Sequence, residues 1–184
     1  PLLQDATASK ILQSYAAAGF EIRFVGGCVR DVFLKLPVKD IDFATTATPE
    51  QGMKLLQDNG IRIIPTGIEH GTLTAHLDGR NFEITTLRQD ARTDGRHAVV
   101  TFTTDWALDA ARRDFTVNAL SVDGGGRLFD YQGGERDLRN KILRFIGDPR
   151  ARMREDYLRI LRYFRFASLW DWPLTDTETL AACR

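Results

Sequence analysis

Apolar residues recur along the chain with two periods, and the switching between them outlines a mixed α/β protein. Residues from about Thr7 to Ala18 are helix formers with Ile11, Leu12 and Tyr15 on one face, and Gly19 stops the run. Glu21 to Val25 reads as a short apolar strand that runs into Gly26-Gly27 and then a second helix through Arg30 to Leu34, broken by Pro37. Lys39 to Phe43 alternates polar and apolar, the period of a strand. Thr48-Pro49-Glu50 is a helix start, with Thr48 as N-cap and Pro49 in the first turn; this helix carries Met53, Leu55 and Leu56 and stops at Gly60. Two further strands, Gly71 to His76 and Asn81 to Leu87, flank a hairpin turn at Leu77-Asp78-Gly79-Arg80.

Gln89 to Thr104 is polar and weakly patterned, and a loop of that length inside a compact domain is usually functional. A helix through Trp106 to Arg112, a strand from Ala119 to Val122, a Gly124-Gly125-Gly126 turn and a strand from Arg127 to Tyr131 follow. From Asp148 onward the pattern is helical with no further strand. Between Asp156 and Leu169 the spacing of Tyr157, Ile160, Leu161, Phe164 and Ala167 predicts one apolar stripe on a single helix. The organisation expected is a mixed α+β domain over residues 1–147 followed by an α-helical segment over 148–184.

Composition narrows the class. The 184 residues carry 25 Lys+Arg against 25 Asp+Glu, which excludes a protein that coats nucleic acid by bulk charge, and equally an acidic disordered segment. No run of 18 apolar residues suggests a membrane span, so no membrane partner is expected. The first residues lack the basic and then apolar regions of a signal peptide. Cys28 and Cys183 lie at opposite ends without metal spacing, and a reducing, cytoplasmic compartment is the expectation. Twenty of the 25 basic residues are Arg, whose rigid fork of donors suits phosphates and base edges. A codon preference for Arg accounts for the number equally well, so placement decides.

Candidate chemistry concentrates early. Asp40 and Asp42, two apart in an apparent strand, project from one face, and paired hard oxygens suit Mg²⁺. Most such pairs are surface charges or turn formers. Gly26-Gly27 between a strand and a helix can admit phosphate to backbone N–H groups, with Arg30 one turn on; the alternative is a plain tight turn. Glu83, alternating with Phe82 and Ile84, is a third carboxylate if its strand adjoins that of Asp42, or else a half-buried structural acid.

These residues carry a family resemblance. Gly26-Gly27-Cys28-Val29-Arg30-Asp31 followed by Lys39-Asp40-Ile41-Asp42-Phe43-Ala44-Thr45 resembles the first signature of the class II tRNA nucleotidyltransferase and poly(A) polymerase family. Arg112-Arg113-Asp114-Phe115-Thr116-Val117-Asn118-Ala119 resembles its second signature, and Glu155 to Arg162 its nucleotide-selecting helix. The similarity runs from about Phe20 to Phe166. Thr66 to Thr72 and Glu83 to Arg88 are closer to the tRNA nucleotidyltransferase branch than to the poly(A) branch, which tends to be more basic at the first of these places.

The resemblance implies a DNA polymerase β-like nucleotidyltransferase head domain over 1–147 and an α-helical neck from 148. It implies template-independent addition of C, C and A to tRNA 3′ ends from CTP and ATP. Asp40 and Asp42 would hold two Mg²⁺ ions, with Glu83 as a further catalytic carboxylate. Gly26, Gly27, Arg30 and Arg113 would meet the triphosphate; Asp114 would reach the ribose or buttress its loop, while Asn118 either does the same or caps a helix. Asp156 and Arg159, three apart on one helix, would read the amino group and ring acceptor shared by cytosine and adenine. Arg162 and Arg165 would lie along the triphosphate or the tRNA end. A bland reading of the same helix is a solvated face with i,i+4 ion pairs such as Glu155–Arg159.

A flexible loop at Gln89 to Thr104, including Arg92 to His97, favours CCA or A addition over CC-only addition within the family. His70 and His97 have no mutual zinc spacing and read as polar structural residues. The rivals are a poly(A) polymerase or A-adding enzyme of the same family, and a non-catalytic nucleotide-binding fragment. Relatives continue into helical body and tail parts, so a missing C-terminal region or a complementary chain is expected, and this piece alone should hold tRNA weakly.

Overall fold

The computed structural model describes residues 1–64, 67–90, 100–174 and 176–183. Thr66 of the branch-marking stretch and the expected flexible segment Arg92–His97 lie outside the described residues.

The chain opens with α1 (Ala6–Ala17), capped by the Asp5 carboxylate accepting from Ala8 N–H. Then come β1 (Ile22–Val25), α2 (Gly27–Phe33), β2 (Asp42–Thr45) and α3 (Pro49–Asp58). Thr48 and Gln51 close a reciprocal capping box at the start of α3, as the Thr-Pro-Glu-Gln run dictates. Three strands follow, β3 (Arg62–Ile64), β4 (Thr72–Leu77) and β5 (Arg80–Thr86). The expected Asp78-Gly79 turn joins the last two, with both residues at positive φ. Two short strands, β6 (Arg88–Asp90) and β7 (Val100–Phe102), pair with each other at the two ends of the polar stretch.

Next are α4 (Trp106–Ala111), β8 (Ser121–Val122), β9 (Leu128–Phe129) and α5 (Gly134–Asn140), then α6 (Pro149–Glu155), α7 (Leu158–Trp170) and α8 (Thr177–Ala182). Both β8 and β9 are shorter than the expected 119–122 and 127–131. The short elements β3 and α5 carry too little periodicity to be read from sequence.

The main sheet has the order β3-β4-β5-β2-β1-β8-β9, and only β2 and β5 run parallel. Its two faces differ by the strict alternation of strands. One carries Phe24, Phe43 and Phe82, whose rings step across β1, β2 and β5 at centroid separations of 5.0 and 6.2 Å, and α1 and α3 cover it. The other carries Asp42 and Glu83 and a small cluster of Val25, Ala44, Leu87 and Trp106. α1 and α3 thus leave the Asp42–Glu83 side of the sheet uncovered, and α4 packs on that side through Trp106.

Two expectations about α6 and α7 are corrected. Asp156 is not inside a helix: it is extended (φ −156°, ψ 106°) and separates α6 from α7. The expected stripe of Tyr157, Ile160, Leu161, Phe164 and Ala167 is only in part the buried face: Ala167 is buried and Ile160 packs half-buried against the core. Tyr163, Phe166 and Ala167 are buried, while Tyr157, Leu158 and Leu161 are 71%, 63% and 67% exposed. Four of the five stripe residues lie within α7, and its core-facing side is centred nearer Tyr163 than Leu161. Tyr163 and Phe166 join Phe115 and Phe145 in an aromatic group with centroid separations of 4.6 to 6.2 Å, continuous with the main core.

Candidate active site

The glycine turn follows directly from β1. Gly26 sits at φ +70°, a conformation that side chains disfavour, and donates its N–H to Leu120 carbonyl at 3.1 Å. A Cβ added at Gly26 would lie 3.2 Å from the Arg113 guanidinium, and one at Gly27 would lie 3.6 Å from that of Arg30. Two guanidinia therefore stand over a turn bare of side chains.

Arg30 is buried, although charged. Its Nε and Nη2 donate to the Asp31 carboxylate at 2.9 and 2.7 Å, and its Nη1 donates to Asn118 Oδ1 at 2.6 Å. Its guanidinium also lies over the rings of Phe166 and Trp170, 5.2 and 4.8 Å from their centroids. Arg113 is oriented by Asp109, which is 3% exposed and accepts from both Arg112 and Arg113 as well as from Arg88 N–H. Burial pushes the Asp109 carboxyl upward, and the charges of Arg113 and Arg112 outweigh it, so its pKa lies below the usual carboxylate value.

The carboxylates gather on the open face of the sheet. β2 begins at Asp42 rather than Lys39, so Asp40 lies in the extended approach to the strand. Asp42 stands opposite Glu83 in the parallel pairing of β2 and β5. Asp40, Asp42 and Glu83 line one cleft of about 520 Å³ with Ile64, Thr74 and Asn81. Burial pushes Asp42 up to about 6, helped by the negative charges of Glu83 and Asp40 and opposed by Arg113. Among the described residues no group of three or more His, Cys, Asp or Glu closes into a ready metal cage. Hard oxygens side by side but not converged suit an ion that keeps water and phosphate in its shell.

A second cleft of about 590 Å³ adjoins the first through Asp42. With Asp42 it is lined by Gly26, Gly27, Arg30, Arg113, Asp114, Asp156, Arg159 and Arg162, nine of the sequence-derived site residues, and by Asn118. Asp114 accepts from Arg162 at 2.7 Å and from Asn118 Nδ2 at 3.0 Å. Arg159 donates to Glu155 at 2.5 Å and to the Arg152 carbonyl at 2.8 Å, so the expected i,i+4 pair exists at the rim of the cleft. The Asp156 carboxylate accepts from Leu158 N–H at 2.9 Å and starts α7. Arg165 is not in the cleft: it is exposed, with its guanidinium 5.8 Å from the Phe166 centroid. It stands about one turn further along α7 than Arg162, beyond the cleft.

Sequence reading missed Arg88, Arg112 and Asp109 here. Asp109 lies three and four residues before Arg112 and Arg113, a spacing that was available. A larger cleft of about 670 Å³ between α1 and residues 123–125 contains none of the candidates, so size does not mark this site.

Chemically, the joined clefts combine acids able to hold a divalent cation, a bare turn under two guanidinia, and an acceptor–donor pair at the far rim. Comparisons with known proteins agree with that chemistry. The model of the poly A polymerase head domain matches residues 22–144. The mitochondrial CCA tRNA nucleotidyltransferase 1 of Mus musculus is 53% identical over 175 residues, covering 94% of this chain and 40% of the relative. The CCA-adding enzyme of Oceanobacillus iheyensis is 47% identical over 163 residues, covering 88% of this chain and 40% of its own length. Among solved structures, the Bacillus stearothermophilus CCA-adding enzyme in complex with CTP superposes with a TM-score of 0.86 at 36% identity, covering 96% of this chain and 42% of the other. A tRNA nucleotidyltransferase complexed with a primer tRNA and an incoming ATP analog gives a TM-score of 0.73 at 30% identity, covering 94% and 48%. The chain thus spans about two fifths of the curated relatives it matches.

Proposed function

Because the chain belongs to the poly(A) polymerase head-domain family, that of class II tRNA nucleotidyltransferases, we propose that it is the nucleotide-adding part of a CCA-adding enzyme. The reading is that residues 1–147 form the catalytic head and residues 148–184 the start of the nucleotide-selecting neck. The substrates are CTP and ATP, and the acceptor is a tRNA 3′ end. The observation that carries this reading is the shared wall at Asp42, where the carboxylate cleft and the arginine cleft meet.

Asp40 and Asp42 would hold Mg²⁺, with Glu83 facing the same cleft, and hard-oxygen donors beside a phosphate-sized cationic cleft fit that ion. When bound, Mg²⁺ supplies charge neutralisation for the attacking hydroxyl and for the departing pyrophosphate. The chain's own residues orient the nucleotide. Gly26 and Gly27 leave room for the triphosphate, and Arg30 and Arg113 donate to its oxygens. Arg162, held by Asp114, would lie along the triphosphate or the tRNA end.

Asp156 and Arg159 line the cleft from α6–α7 and would read the base edge: a carboxylate accepts from the exocyclic amine and a guanidinium donates to the ring acceptor. Uracil and guanine put a carbonyl where the amine is required. Arg165 would have to act from outside the cleft, on the tRNA end. A reducing, cytoplasm-like compartment suits the two free cysteines; relatives from Mus musculus and Homo sapiens are named as mitochondrial. Among the described residues, no helix is long and apolar enough to cross a membrane.

The test is an incorporation assay in Mg²⁺ with a tRNA ending before its CCA. CTP alone should extend it by two residues, and CTP with ATP by three. Extension by ATP alone with no use of CTP would select the poly(A) or A-adding reading, and inertness with both would select the non-catalytic one.

A further inference from the structure

Asn118 is the residue whose contacts exceed any role assigned so far. It is 7% exposed and sits in a single 3-10 turn, Thr116–Asn118, without capping that turn by its side chain. Its amide bridges two charged groups. Oδ1 accepts from Arg30 Nη1 at 2.6 Å, and Nδ2 donates to Asp114 Oδ1 at 3.0 Å. The amide has one usable orientation, because turning it would set NH₂ against a guanidinium and oxygen against a carboxylate. Asp114 then accepts from Arg162 at 2.7 Å. An unbroken line of hydrogen bonds runs from α2 beside the glycine turn, through the 116–118 turn, to the middle of α7.

Arg30 shows why the bridge matters. Asp31 holds only one edge of its guanidinium, through Nε and Nη2. With that edge alone fixed, the plane can pivot, and Asn118 at Nη1 removes the freedom. The same amide donates to Asp114 Oδ1 and, together with Phe115 N–H, orients the carboxylate whose other oxygen, Oδ2, accepts from Arg162.

We propose that Asn118 is a positioning residue for the nucleotide: it sets Arg30 over the Gly26–Gly27 turn and, through Asp114, sets Arg162 at the other end of the cleft. It lines the cleft, but both ends of its amide are engaged by Arg30 and Asp114, so it acts through these groups. This inference rests on the nucleotidyltransferase reading above.

The experiment measures CTP binding by calorimetry in Mg²⁺, with the full chain as wild type, Asn118→Ala, Arg30→Ala and the double variant. Loss of a hydrogen bond to a charged group predicts weaker CTP binding by about ten- to thirtyfold in Asn118→Ala. Because Asn118 acts through Arg162 as well as Arg30, the double variant should bind more weakly than Arg30→Ala by clearly less than the factor that Asn118→Ala costs the wild type, whereas a merely structural role would make the losses multiply in full. In turnover, the loss should fall mainly on KM for the nucleotide. Thermal unfolding establishes that each variant is folded at the assay temperature. Should Asn118→Ala not fold, Asn118→Ser, whose hydroxyl is too short to span both groups, carries the same comparison. Unchanged CTP affinity in the folded variant, or fully multiplicative losses, overturns the proposal alone. A wild-type chain that binds no CTP overturns the nucleotidyltransferase reading and this proposal with it.

Discussion

At the scale of single residues, the site is a balance between crowded acids and crowded bases. Asp42 is costly to ionise because it is buried beside Glu83 and Asp40, and its carboxyl is pushed up to about 6. A divalent cation relieves that repulsion. Mg²⁺ should therefore raise the melting temperature of the wild-type chain, and Asp42→Asn should lose both this shift and nucleotide addition while staying folded. Calorimetric melting with and without Mg²⁺, beside the incorporation assay, checks it; an equal Mg²⁺ shift in the variant would place the ion elsewhere.

Asp109 shows the opposite sign. Burial raises its pKa, the charges of Arg113 and Arg112 more than reverse this, and the folded value lies below the ordinary 3.8. Its contribution to stability is thus fully present above that value and is lost as pH falls below it through the folded pKa. Asp109→Asn should cost about 3 kcal/mol at neutral pH, since it removes a buried carboxylate shared by two half-buried guanidinia, and should flatten the acid limb of the stability curve. Urea melts between pH 2.5 and 7 measure both effects. Gly26 and Asp40/Asp42 were legible because their chemistry is written in adjacent residues. Asn118 could be named as a nucleotide-site residue or a helix cap, but its bridge was not legible, because Arg30 and Asp114 meet it only after folding.

At the scale of elements, regular periodicity predicted well and junctions did not. The capping box at Thr48 and the turn at Asp78-Gly79 were readable, since each is local chemistry. The pairing of β2 with β5, which sets Glu83 opposite Asp42, is a long-range fact that alternation can allow but not dictate. The clearest miss is α7. A hydrophobic count chose Tyr157, Ile160, Leu161, Phe164 and Ala167, of which Ala167 is buried and Ile160 half-buried, while Tyr163 and Phe166, outside the count, complete the buried face. Both faces are apolar, so periodicity alone could not choose between them. The consequence is a sharp contrast in this chain. Tyr163→Ala should cost about 3–5 kcal/mol by emptying the aromatic group around Phe115 and Phe145, while Leu161→Ala should change stability by less than about 0.5 kcal/mol. Chemical denaturation of the two variants decides which face is inside.

At the scale of the whole molecule, the zero net charge conceals a sorted distribution. The nucleotide cleft is lined by six arginines against three aspartates, Asp42, Asp114 and Asp156, which leaves the rest of the chain with more acids than bases. A cleft of that sign attracts a compact polyanion over short range, whereas the remainder offers no broad field to gather a long one. The arginine excess noted in the sequence thus acquires meaning through placement, since codon preference does not explain why six of the twenty converge on one wall. This chain should therefore separate its two ligands. In Mg²⁺ it should bind CTP measurably at 0.15 M salt, about the physiological strength. Its binding of tRNA should be weak there, with a slope of log K against log salt equivalent to only about two to four phosphates. Titrating labelled tRNA across a salt series reads the slope. A value equivalent to about six or more phosphates would mean that a second basic surface, outside the cleft, grips the tRNA body.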